Sequence, residues 1–135
     1  MRMQTGTCAA LALMIAASTP ALSAHHNASH TYDAEHPVAL SGTVTDVQWK
    51  NPHVLVHLDA KQADGTVVDW RVELVAALFM NREGIVRDVL KPGDPISMTV
   101  CVAKDGSHTA AARSVTIPSA FADKRVGFCY VPSHP

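Results

Sequence analysis

The sequence predicts a small, mainly β domain: a five-stranded Greek-key barrel with one short helix between strands 3 and 4. Three observations carry this expectation. Five segments read as strands, and the second, third and fourth alternate apolar and polar residues at the strand period. The one stretch with helix-forming composition falls between the third and the fourth of them. The chain has 135 residues, enough for one modest core and no more.

The first strand is expected over residues 38–49. Leu40, Gly42 and Val44 share one parity and Val47 and Trp49 the other, so a bulge is expected near Thr45 and Asp46. Gly42 marks a bend. Asn51-Pro52 is a turn signal. Residues 53–60 alternate cleanly, with Val54, Val56, Leu58 and Ala60 on one face and His53, Leu55, His57 and Asp59 on the other. Ala63-Asp64-Gly65 makes a hairpin turn into a third strand over 66–74. There Val68, Trp70, Val72 and Leu74 face inward and Asp69, Arg71 and Glu73 outward, which puts Trp70 in the core. Residues 75–82 suit a helix, which Gly84 ends. Lys91-Pro92-Gly93-Asp94 turns the chain into a fourth strand carrying Ile96, Met98, Val100 and Val102. Lys104-Asp105-Gly106-Ser107 turns it again, and a fifth strand runs over 109–117, closed by Pro118. Three strands, a helix and two strands is the order of an OB-fold, whose closure leaves no long exposed edge; an open β-sandwich or a plain antiparallel sheet with one helix is the alternative.

Ahead of this domain the chain reads as a secretory leader over residues 1–24. Arg2 supplies the positive start and residues 8–17 the apolar run, which is too short for a bilayer span of about 20 residues. Pro20 breaks it, and Ala21 to Ala24 are small residues suited to cleavage after Ser23 or after Ala24. The expected organisation is a leader over 1–24, a His-rich arm over 25–37, a barrel over 38–118 and a patternless tail over 119–135. No later segment is apolar enough to span a membrane, so a soluble periplasmic protein is expected. Export leaves two cysteines, Cys101 and Cys129. In an oxidising compartment they are expected to pair, tying the tail to a strand; free thiols or a soft-metal pair are the alternatives.

All eight histidines lie beyond the leader, and His25, His26, His30 and His36 fall within a dozen residues. Imidazole suits copper, zinc and nickel. Cleavage after Ser23 would leave Ala24-His25-His26, in which the free amine, two deprotonated amides and His26 can wrap Cu(II) in a square plane. Cleavage after Ala24 makes His25 the terminus, whose amine and ring chelate together, with His30 or His53 completing the site. His53 is the better partner, standing just after the Asn51-Pro52 turn. His57 lies four residues along the same face, about 13 Å away at strand rise. The expected metal ligands are thus His25, His26, His30 and His53, with copper ahead of zinc and nickel. His57, His108 and His134 read as surface residues, and Glu73 as a solvated charge beside Arg71.

No nucleophile elbow, CxxC pair or other specific enzyme motif is present. An enzymatic reading would require the fold to bring His53 close to Glu73 or Asp59. Nucleic acid is disfavoured as a partner by a net charge of −1 and an aromatic content of 5%. A non-enzymatic binding domain holding a metal through the N-terminal histidines is therefore expected. The alternative is a metal-free OB module that binds a small ligand or a protein, accessory to an exported enzyme or membrane complex.

Several stretches carry a family likeness: His25-His26, Tyr32-Asp33, Gly42-Thr43-Val44, Trp49-Lys50-Asn51-Pro52-His53, Trp70 with Val72-Glu73-Leu74, Leu90 to Asp94, Lys104 to Ser107 and Ala112 to Val115. On these the chain resembles an uncharacterised family of small secreted bacterial proteins. The resemblance implies compartment and fold and transfers no activity. Asn27 and Ala28 stand where the family has a Ser-Phe pair, and Cys101, Cys129 and the tail after Ile117 are particular to this chain.

Overall fold

The protein is described from a computed structural model covering residues 28–129. The leader, His25, His26 and His134 lie outside the described residues.

Five strands close into the expected barrel: β1 (Val38–Gln48), β2 (Leu55–Lys61), β3 (Val67–Glu73), β4 (Pro95–Val102) and β5 (Thr109–Ile117). Neighbours pair in the order β3-β2-β1-β4-β5, and a parallel β3–β5 contact, Arg71–Glu73 against Thr109–Ala111, completes the ring. The short helix α2 (Ala77–Arg82) sits between β3 and β4, as expected. Another helix, α1 (Ala28–Thr31), precedes β1.

β1 serves two partners. Its first half pairs with β4 and its second with β2. The register slips between Val44 and Asp46, the position anticipated from the change of parity. A side chain at Gly42 would run into the Asp59 carbonyl and Leu58, so only glycine permits β1 to cross β2 this closely. The turns also match. Gly65, Gly84, Gly93 and Gly106 all have positive φ, and Asp64 accepts from the Thr66 amide and hydroxyl at 2.9 and 2.6 Å to fix the β2–β3 hairpin.

The barrel interior holds the alternating residues read from sequence, among them Val44, Val54, Val56, Leu58, Val72, Leu74, Ile96, Val100 and Ile117. Met80, Ile85 and Leu90 plug it from α2 and the approach to β4. Trp70 keeps its inward parity but is only half-buried at the rim. Its ring lies 5.2 Å from that of His108, and among the described residues its buried indole N–H has no partner. The expectation of a core tryptophan is corrected accordingly: Trp70 packs against the main core without being enclosed by it.

The described part of the tail, which ends at Cys129, is structured despite its lack of sequence pattern. Residues after Pro118 turn into a sixth strand, β6 (Phe121–Lys124), antiparallel to β5. Val126 then enters the main core, and its carbonyl accepts from the Val75 amide at 2.9 Å. A side chain at Gly127 would collide with the Ala112 backbone, so glycine lets the tail lie flat on β5. The Cys129 amide donates to the Ala112 carbonyl at 3.2 Å, and Cys129 is disulfide-bonded to Cys101 of β4 across a Cα separation of 6.1 Å.

A second, smaller core follows on the outer face of β4 and β5, made of Tyr32, Cys101, Ala103, Ala111 and Cys129 with Ala34 and Phe128 against it. The arm supplies Tyr32, bridged to Ala103, with the Asp33 amide donating to Val102 and the Lys104 amide to Thr31, each at 2.9 Å. Arg113 clamps arm to tail, donating to the Cys129 carbonyl at 3.1 Å and the Ala34 carbonyl at 3.3 Å. Residues 110–112 are consequently buried on both faces of β5, and only alanine-sized side chains stand there.

Candidate functional site

Arm, barrel and tail meet at His53. The Asn51-Pro52 peptide is cis and turns the chain from β1 to β2. Residue 54 then joins the end of β3 through two backbone bonds, Val54 N–H to Val75 at 3.2 Å and Leu74 N–H to Val54 at 2.8 Å. Those bonds hold His53 beside Glu73, the last residue of β3. The His53 Nδ1 lies 3.4 Å from the Glu73 Oε2. Arg71 Nη2 donates to the other Glu73 oxygen, Oε1, at 3.4 Å.

Glu73 has the outward parity read from sequence, yet its side chain is only 19% exposed. The reading of Glu73 as a solvated strand-face charge is corrected here: the outer face at this end of the barrel is covered by arm and tail. Leu55, assigned to the same outer face, is buried as well. The Tyr32 phenol lies within hydrogen-bonding reach of Glu73. Burial first, and then the Glu73 carboxylate, push its ionisation up to about 12, against a partial lowering by Arg71. From the tail, the Phe128 ring stacks on the His53 imidazole at 4.4 Å and meets the Tyr32 ring edge-on at 6.2 Å.

The geometry is that of an oriented imidazole. A carboxylate beside Nδ1 orients the ring and its tautomer and presents Nε2 as the donor atom. The aromatic stack removes its rotational freedom. His53 is 39% exposed, so a ligand can reach it.

The remaining candidates divide. His30 is exposed on α1, two residues from the buried Tyr32. His57 pairs with Asp69 across β2 and β3 at 3.7 Å, and His36 with Asp33 at 3.0 Å. Hydrogen bonds from His36 first, in its side chain and then its backbone, hold the exposed Asp33 carboxyl below the usual range. Among the described residues no three His, Cys, Asp or Glu side chains converge as a metal would require. His53 with Glu73 is what the described chain offers, and in sequence His25 and His26 stand three and two residues ahead of the start of α1.

From sequence Glu73 was named only as a carboxylate that an enzymatic reading would need close to His53, a proximity the fold provides, while Tyr32 and Phe128 were not singled out as site residues. Two signals point towards them. The Ala110-Ala111-Ala112 run abandons alternation, as a strand covered on both faces does, and the apolar Leu55 and Cys101 lie on faces otherwise read as solvated.

Fold and site together define a closed five-stranded OB-type barrel whose arm and tail form a second layer around an oriented histidine. The chain belongs to a family of unknown function, DUF6152, whose model matches residues 12–112. No curated protein and no solved structure matches it. The matched stretch includes Tyr32, His53, Glu73 and Cys101, and it ends within β5, so β6, Phe128 and Cys129 lie beyond it.

Proposed function

We propose that this protein is an exported, periplasmic and non-enzymatic binding domain that holds a transition metal, copper first, between its N-terminal histidines and His53. One observation carries the reading: the arm that bears His25 and His26 is anchored through Tyr32 at the Glu73 carboxylate that orients His53. From His26 to Tyr32 is six residues, four of them in α1. Even partly helical, that span reaches on the order of 10 Å or more. Imidazole and amine nitrogens at a processed terminus, with one imidazole fixed by a carboxylate, form a nitrogen-rich set that suits Cu(II). His30, exposed beside the anchor, is available as a fourth imidazole.

The Cys101–Cys129 disulfide agrees with an oxidising compartment, and among the described residues no helix is long and apolar enough to cross a membrane. The experiment is a copper titration of the protein recovered after export, its terminus sequenced, followed by visible absorption. Tight binding lost on His25→Ala with His26→Ala supports the reading. Retained function without them returns the protein to a metal-free OB binding module accessory to an exported enzyme or membrane complex.

A further inference from the structure

A second cleft, of about 490 Å³, opens where the end of β1 faces the segment leading into β4. Its floor is apolar: Leu90 is buried, and Trp49 is half-buried and packs on the barrel core. Its rim is cationic. Lys50, Arg87 and Lys91 line it and are exposed, against one carboxylate, Asp88. The Lys50 ammonium donates to the neutral Gln48 amide at 2.8 Å, which leaves its charge uncompensated. Among the described residues none of the three cations is in an ion pair. The chain as a whole carries a net charge of −1, so general basicity does not account for this convergence.

Three cations around an indole floor match a ligand with an apolar ring and an acidic head. The ring covers Trp49 and Leu90, while the anion relieves the mutual repulsion of the rim. The volume lies within the about 300–1,000 Å³ range of small-molecule sites. We propose that this cleft binds a small amphipathic anion, an aromatic carboxylate being the fitting class. The site is separate from His53 and does not depend on the metal reading.

The test is an NMR titration of the ¹⁵N-labelled protein with 3-phenylpropanoate, run beside its neutral amide. The expected result is a saturable shift of the Trp49 indole N–H and of the amides of residues 87–91, with the Trp70 indole unmoved. The amide analogue should bind more weakly, as should the acid at high salt. Arg87→Glu with Lys91→Glu should weaken binding of the acid by about tenfold or more, with the other amide shifts retained as proof of folding. Equal binding of acid and amide, an unaffected double variant, or no saturable shift at Trp49 would each overturn the proposal.

Discussion

The imidazole of His53 lies flat on the ring of Phe128, centroids 4.4 Å apart and planes inclined by 15°. The two residues are far apart in sequence, one between β1 and β2 and the other in the tail, and Cys129, next to Phe128, ties that tail to β4. Replacing Phe128 with Leu should therefore act on both stability and site. Loss of the aromatic pairing is expected to cost about 1 kcal/mol in urea unfolding. The His53 ring proton signals should move at the same time, while those of His57 stay in place.

The disulfide closes a loop across a separation of 28 residues. On the chain-entropy account, Cys101→Ser with Cys129→Ser should lower unfolding free energy by about 3.5 kcal/mol. Amide exchange should rise first in β6 and at residues 126–129, because the tail loses its covalent anchor before the barrel loses its ladders. A uniform rise across β1 to β5 would contradict a second layer hung on an independent barrel.

Two glycines should respond to alanine for different reasons. At Gly127 a methyl group meets the Ala112 backbone, so Gly127→Ala is expected to cost about 2–3 kcal/mol and to displace the tail. At Gly65 nothing lies within 4 Å but φ is +87°, so Gly65→Ala should cost only the left-handed backbone penalty of about 1 kcal/mol. Thermal or urea unfolding of the two variants measures the difference.

Tyr32 provides a pH signature in the metal-free protein. Its ionisation is raised from 10.0 to about 12, so the folded state holds a proton that the unfolded chain releases. Below pH 10 the stabilisation is complete, and it is lost as pH rises from about 10 towards about 12, amounting to on the order of 2 kcal/mol. Tyr32→Phe should flatten this alkaline part of the stability profile.

The barrel was legible in the sequence because its strands obey one rule. Val54, Val56, Leu58 and Ala60, like Ile96, Met98 and Val100, alternate and are buried as a set. The parity shift at Thr45-Asp46 and the turn glycines made the bulge and hairpins readable too. The second layer was not legible. Glu73 and Leu55 follow the outward parity of their strands, and parity cannot tell whether an outer face is covered. The tail that covers it is held by a disulfide, by Gly127 on a backbone and by single residues such as Val126, none of which forms a period. His53 was singled out for its place after a turn, whereas its carboxylate partner depended on two strands ending side by side.

The central claim is that His53 and the N-terminal histidines share one ion. Pulsed EPR of Cu(II) bound to the exported protein counts the coordinated imidazoles directly. His53→Ala should remove one imidazole from that count, and Glu73→Gln, which leaves the ring but weakens its orientation, should keep the count and reduce affinity by about tenfold. Identical copper spectra and affinities in the wild type and His53→Ala would show that the barrel contributes nothing to the site and would contradict the account.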